Sequence, residues 1–148
     1  MRKQYHFRRS DRGWLAWDIE KLVTLTKELP QFRVGLAAIG ELDEPYWFSG
    51  GKDDATVRAV VEHVRLVNDA DLGFPIILSS DGRVMDGMHR VAKALLIGLT
   101  SVEAVQFERD PEPDHIGVGP DELPCEDWAS HVQCARKQHD STRQQFPP

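Results

Sequence analysis

Apolar residues follow two periods along the chain, one typical of helices and one typical of strands. Spacings of three and four residues, closed by Pro30, Gly73 and Gly98, predict three helices, whereas short apolar runs and alternating pairs predict four strands. The helices are expected over 18–30, 53–73 and 86–98, and the strands over 32–37, 74–78, 83–85 and 102–107. The order α-β-α-β-β-α-β is typical of a single compact α+β domain.

The second predicted helix has the clearest amphipathic pattern. Five valines at helical spacing form one stripe, which we expect to face the core: Val57, Val60, Val61, Val64 and Val67. His63 lies on the same helix and is expected on its surface, with a place near a ligand as the alternative. Trp14 and Trp17 precede the first helix and are expected to anchor it to the core.

Charge divides the chain at Phe107. Residues 1–107 hold 14 Lys and Arg against 15 Asp and Glu, whereas residues 108–148 hold 4 against 9. We therefore predict a basic arm and N-terminal helix over 1–31, a folded core over 32–107, and an acidic C-terminal extension with a short helix over 108–148. The inner face of that short helix would carry Trp128, Val132 and Ala135.

The composition excludes several classes of protein. No apolar run approaches the roughly 20 residues of a transmembrane helix, and no apolar segment follows the basic start as it would in a secretory signal. Two cysteines are too few for a disulfide scaffold, so a cytoplasmic location is expected. A net charge of -6 argues against a general nucleic-acid coat protein. The C-terminal segment has four residues of the types that bind zinc, but their spacing is not that of a zinc knuckle: Cys125, His131, Cys134 and His139.

The segment from Val84 to Arg90 holds the candidate chemistry. A strand delivers Asp86 and Gly87 to the first turn of a helix, where free N–H groups and the positive end of the helix dipole favour an anion. Gly87 would let the backbone approach a ligand, and His89 and Arg90 would place a titratable ring and a forked cation beside it. Asp86 would hold Mg²⁺ or orient a hydroxyl. The alternative is structural, with Asp86 as a helix cap and Arg90 as an ion-pair donor.

The sequence VMDGMHRVAKA over 84–94 resembles the strand-to-helix motif DG-x-HR-x-x-A of the ParB/sulfiredoxin-like superfamily. The predicted helix up to Val67, the strand over 75–78 and the exit GLTSVEAV over 98–105 follow in the order of that superfamily. The resemblance therefore covers about 32–107. It implies a ParB/sulfiredoxin-like domain with a small mixed sheet flanked by helices.

The resemblance also implies a bound nucleotide. Its phosphates would lie on Gly87, Met88, His89 and Arg90, and Thr56 stands where sulfiredoxins place a nucleotide-contacting lysine. Met88 stands where sulfiredoxins carry their reactive cysteine, so sulfinic acid reduction is not expected. The 41 residues after Phe107 are too few and too acidic for the DNA-binding and dimerising domains of partitioning clamps, so DNA is not expected to bind this chain alone.

Free-serine kinases of the superfamily use a glutamate in the loop after the first core strand as a base. Three carboxylates lie in the corresponding loop, with the first of them as the preferred base and a solvated acidic loop as the alternative: Glu41, Asp43 and Glu44. Tyr46 and Trp47 in the same loop would floor a substrate pocket or close the edge of the core.

Two functions follow from the resemblance. The first is Mg²⁺-dependent phosphoryl transfer from ATP or ADP to a small hydroxyl-bearing acceptor such as a free amino acid. Glu41 or Glu44 would be the base in that reaction, Asp86 would bind the metal or the acceptor, and His89 would lie among the catalytic residues. The alternative is a non-catalytic ParB-like module, for which CTP is a further ligand, that switches a protein or DNA partner. A homodimer is compatible with both functions, and membrane association is expected of neither.

Overall fold

A computed structural model gives the protein an α+β fold and describes residues 4–48, 55–120 and 122–123. The predicted α+β class is confirmed, with the three predicted helices and four predicted strands in the predicted order. The elements are β1 (Tyr5–Ser10), β2 (Gly13–Asp18), α1 (Ile19–Leu25), β3 (Phe32–Gly35), α2 (Val57–Asp69), β4 (Ile76–Leu78), β5 (Val84–Asp86), α3 (Met88–Leu96), β6 (Ser101–Gln106) and β7 (His115–Ile116), with short 3-10 turns at Leu36–Ala38 and Gly40–Asp43.

The strands form two sheets. The larger sheet has the order β3-β6-β4-β5, and it is mixed because β4 runs parallel to β6 while the other neighbours are antiparallel. The smaller sheet has the order β1-β2-β7 and is antiparallel throughout. A parallel pair needs a long crossover, and here the crossover from β4 to β6 contains β5 and α3.

The larger sheet is buried on both faces. Ile76 and Leu78 of β4 pack with Met88 and Val91 of α3 in one apolar cluster. Ile77, which points to the opposite face, packs in a second cluster with residues of β2 and α1, among them Trp17 and Leu22. A strand that is covered on both sides needs apolar residues at every position, which explains the unbroken apolar run in β4.

The N-terminal arm predicted from sequence is a β-hairpin in the structure. Residues 5–18 pair as β1 and β2, and two of the basic side chains, Arg8 and Arg9, lie over tryptophan rings. The guanidinium carbon of Arg8 lies 5.2 Å from the Trp17 ring centre, and that of Arg9 lies 4.6 Å from the Trp14 ring centre. Trp17 is 2% exposed and packs with Leu22 of α1, as expected for an anchor of that helix.

The boundary predicted at Phe107 does not mark the end of the fold. Residues 108–117 return to the hairpin, where β7 pairs with β2. The Asp110 carboxylate accepts hydrogen bonds from Arg8 and from the Ser80 N–H, and Asp114 accepts from the Asp18 N–H and from Lys21. Two of the acidic residues that suggested an appendage, Asp110 and Asp114, are therefore hydrogen-bonded to the body of the domain.

Four of the five valines in the stripe of α2 do not face the core, contrary to the sequence prediction: Val57, Val60, Val61 and Val64 are 82%, 41%, 49% and 49% exposed. Only Val67, at 8%, is buried as predicted, and the side that it shares with His63, at 4%, faces the core. The reason is that α2 packs against α3 through its His63 side, so the rest of the apolar stripe is turned outward. The helix begins after Thr56, whose hydroxyl accepts a hydrogen bond from the Ala59 N–H as an N-cap.

Among the described residues no helix is long and apolar enough to cross a membrane. The predicted short helix around Trp128 lies outside the described residues, as do both cysteines, His131 and His139.

We expect Gly87→Ala to destabilise the protein by about 2–4 kcal/mol, because it combines backbone strain with a clash. Gly87 has φ +104°, and a Cβ there would lie 2.8 Å from the Ile76 side chain and 2.9 Å from the Arg90 guanidinium. Gly98→Ala is the matched control, since Gly98 has φ +84° with open space around the position of a Cβ. Chemical unfolding should show the control losing only about 1–2 kcal/mol. Equal losses in the two variants would contradict the clash at Gly87.

Candidate functional site

The turn from β5 to α3 is held by one arginine. The Arg90 guanidinium donates to the Asp86 carboxylate at 2.7 Å and to the Pro75 carbonyl at 3.0 Å, and it also lies against Gly87. Arg90 is 17% and Asp86 25% exposed at the side chain. Arg90 is therefore the donor of an ion pair, which is the structural alternative for this residue. A glycine is required at position 87 because a Cβ there would clash with Ile76, and not because a ligand approaches the backbone.

The two preferred catalytic bases both have partners. Glu41 is 4% exposed, and its Oε2 accepts a hydrogen bond of 2.6 Å from the Val84 N–H. Both oxygens of Glu44 accept from Arg83 at 2.9 Å, and this hydrogen-bonded arginine lowers the pKa of Glu44. Glu41 thus fixes the start of β5 and Glu44 positions Arg83, so each carboxylate has a structural role on the described chain.

Two histidines meet beside the turn. His63 Nδ1 of α2 lies 3.0 Å from His89 Nε2 of α3, and the ring planes differ by 19°. The rings lie edge to edge and share one N–H between them, which either ring can supply depending on its tautomer. His63 is 4% exposed, and its other nitrogen, Nε2, is buried with no hydrogen-bond partner among the described residues.

Trp47 covers the histidine pair. Its ring lies 4.3 Å from that of His63 and 4.7 Å from that of His89, nearly parallel to both, while Phe48 meets the edge of His63. One face of the Trp47 ring, which was predicted to floor a substrate pocket, is therefore covered by the two imidazole rings. Tyr46 lies next to Trp47, and loss of hydration at its hydroxyl raises the pKa of Tyr46 to about 12.

Both histidines are held in the neutral form. Burial and then the neighbouring His89 ring lower the pKa of His63 to about 4. Burial and then the Arg90 charge lower the pKa of His89 to about 4. The pair thus carries no charge near neutral pH and has one nitrogen lone pair that can accept a proton.

A cleft of about 320 Å³ opens over this pair, between the N-terminal hairpin and the turn. Gly87 and Met88 at the start of α3 line it together with His6 and Arg8 of β1. Arg83 also lines it, and the complete lining further includes Gln4, Tyr5, Phe7, Ile19, Tyr46, Trp47, His63, Val84, Met85, Asp86 and His89. The predicted site residues at 46–47 and 86–89 are thus brought together, whereas Glu41, Glu44, Thr56 and the predicted phosphate ligand Arg90 do not line the cleft.

Ten of the sixteen lining residues were not assigned to the site from sequence, among them Arg8, Arg83 and His63. Arg8 and Arg83 have no motif around them, and only the folded hairpin brings Arg8 into the same cleft as the turn. His63 was expected on the helix surface, although its spacing of four residues from buried Val67 is the one signal that could have indicated a buried side.

The structure offers Mg²⁺ no ready set of ligands. Among the described residues no group of three or more His, Cys, Asp or Glu is placed to hold a metal ion. Asp86, the predicted metal ligand, is paired with Arg90. Mg²⁺ at this turn would depend on the phosphates of a ligand for most of its coordination.

We expect Glu41→Ala to lower the free energy of unfolding by about 1–3 kcal/mol, because it leaves the buried Val84 N–H without an acceptor. Glu44→Ala is the matched control, since the Arg83 pair that it removes is solvent-exposed and should change stability little. Urea unfolding of both variants measures the difference. Equal stability of Glu41→Ala and wild type would refute the structural role.

The stability of the protein should fall as the pH drops from about 6.5 to about 4. The pKa values of His6, His63 and His89 are lowered to about 4 in the folded chain, so the unfolded chain binds protons that the folded chain does not. Each such proton gives a slope of up to about 1.4 kcal/mol per pH unit. Thermal unfolding at a series of pH values measures it, and His63→Gln/His89→Gln should have a shallower slope. A wild-type melting temperature independent of pH across this window would contradict the buried neutral histidines.

Comparison of the chain with protein-family models, with curated proteins and with solved structures finds no match in any of the three. Membership of the ParB/sulfiredoxin-like superfamily therefore stays a prediction from the motif over 84–94 and its flanking elements.

Proposed function

We propose that this protein binds a nucleotide in the cleft, with the phosphates at the start of α3. The observation that carries the proposal is the meeting of a helix N-terminus with two arginines, Arg8 and Arg83, across one cleft of about 320 Å³. A cleft of this volume is at the lower end of small-molecule sites.

The helix supplies the first part of the argument. The N–H groups of Met88 and His89 lie in the first turn of α3, where the helix itself provides no acceptor. The dipole of this nine-residue helix adds partial positive charge at the same end. Both features favour a phosphate over a neutral group.

The arginines supply the second part. Arg8 Nη2 has no hydrogen-bond partner among the described residues, although Arg8 Nη1 pairs with Asp110 at 3.1 Å. Arg83 is 49% exposed and held by Glu44 at the surface, so a phosphate could replace that carboxylate with small loss. A guanidinium binds phosphate oxygens through two parallel hydrogen bonds.

The order of elements supports a ParB/sulfiredoxin-like domain as the scaffold. The hairpin β4–β5, the glycine turn, α3 and the return to β6 parallel to β4 follow the order of the sequence motif. In this proposal the nucleotide is ATP, ADP or CTP, and the backbone of Gly87 and Met88 holds its phosphates.

The binding module is favoured over the phosphotransferase by the engagement of Glu41 and Glu44, which leaves neither free to take a hydroxyl proton. Phosphoryl transfer from ATP or ADP to a small hydroxyl-bearing acceptor is the second candidate. The observation that favours it is the neutral His63–His89 pair, a proton acceptor that lines the same cleft.

Nucleotide binding is expected to raise the melting temperature, since a ligand at 100 times its dissociation constant adds about 2.7 kcal/mol. Thermal shifts should be measured with ATP, ADP, CTP and GTP, each with and without Mg²⁺. Arg83→Gln should weaken the affinity about tenfold or more through loss of a charged hydrogen bond.

Arg33→Gln is the matched control for that experiment. Arg33 forms a similar ion pair of 3.0 Å with Glu103, but it does not line the cleft. Equal effects of the two substitutions would place the ligand elsewhere, and no shift with any nucleotide would refute the proposal. Separation of ADP from ATP after incubation with wild type then distinguishes turnover from binding alone.

A further inference from the structure

We propose that the His63–His89 pair takes up one proton when a phosphate-bearing ligand enters the cleft, so that binding at this site is linked to pH. This inference rests on the proposed nucleotide site and describes its regulation. The pair lines the cleft together with the first turn of α3, and its two rings are joined by a hydrogen bond of 3.0 Å.

Proton counting defines what the pair can do. Two neutral imidazoles carry two N–H groups on four nitrogens, and one of these N–H groups lies between the rings. The ring that donates this bond has a bare outer nitrogen, either His63 Nε2 or His89 Nδ1. A proton from solvent would bind at that nitrogen, giving one imidazolium that donates to one imidazole, with a net charge of +1 on the pair.

The unpartnered nitrogen of His63 is the observation that points to this state. A buried polar atom without a partner is rare in folded proteins and needs a physical reason. His63 is 4% exposed, and its Nε2 has no partner among the described residues, so the fold buries this polar atom at a cost. The cost is compatible with a pair whose protonation state changes on ligand binding.

Burial and then the charges around the pair explain why both rings are neutral. Burial and then Arg90 of α3 lower the pKa of His89, and Arg8 and Arg83 add positive charge along the cleft. Their partners Asp86, Asp110 and Glu44 offset part of this charge, and Asp69 at the end of α2 and Asp71 just after it line a second pocket that His89 also lines. Of the other titratable groups in the cleft, His6 and Tyr46 are uncharged near neutral pH, because the pKa of His6 is lowered to about 4 and that of Tyr46 raised to about 12.

A bound phosphate would favour the charged form of the pair over the neutral form. Its negative charge would lie beside His89 at the second residue of α3, where it favours the charged form of a neighbouring imidazole. The hydrogen bond between the rings also strengthens when one ring is ionised. Binding and proton uptake then favour each other, and the affinity rises as the pH falls, by up to about tenfold for each pH unit.

Isothermal titration calorimetry can count the proton. ATP, ADP and inorganic pyrophosphate are titrated into the full chain near pH 6, in two buffers whose ionisation enthalpies differ. Wild type should take up close to one proton more than the double variant His63→Gln/His89→Gln. Because both proteins bind the same phosphate, any proton that the phosphate itself takes up cancels in this difference. If His6→Gln abolishes the uptake instead, His6 is the acceptor and the proposal is wrong.

Nitrogen NMR of the imidazoles tests the same point on wild type, without reliance on a variant that folds. Pyrophosphate should move His63 and His89 from the neutral to the imidazolium pattern of nitrogen shifts. Binding with both rings still neutral overturns the proton uptake and leaves the nucleotide site standing. No binding of any nucleotide or of pyrophosphate overturns both.

Discussion

The site depends on the hydrogen bonds that the Arg90 guanidinium donates to the Asp86 carboxylate and to the Pro75 carbonyl. One guanidinium joins the end of β5, the start of β4 and the first turn of α3, and it does so around a glycine that leaves no room for a Cβ. Two of those segments, the end of β5 and the first turn of α3, line the cleft, so the contact sets the position of that part of its lining. An arginine so enclosed acts on a ligand through the turn that it positions.

The N-terminal hairpin turns a surface of the sheet into a cleft. β2 covers one face of the larger sheet, and β1 then extends along the turn with His6 and Arg8. The segment 108–117 holds the hairpin in place through Asp110 and Asp114, so an acidic stretch of sequence contributes to the site from outside it. The cleft therefore requires residues from both ends of the described chain.

Burial decides the chemistry of the histidines. In water an imidazole is partly protonated near neutral pH, whereas here low hydration and nearby arginine charge hold His63 and His89 neutral. Trp47 excludes water from one face of both rings. Within the described part of the chain, His63 Nε2 is also enclosed without a hydrogen-bond partner.

Local sequence determined the α+β class, the order of three helices and four strands, and the turn at Gly87, because periodicity, caps and glycines act within a few residues. It did not determine that 5–18 form a hairpin, that 108–117 belong to the fold, or that four of the five valines in the α2 stripe face outward. Those outcomes depend on which surfaces meet, and so do the roles of Glu41, bonded to Val84, and of His63, bonded to His89. Only the tertiary structure decided them, since the free energy of burying a side chain depends on partners that lie far away along the chain.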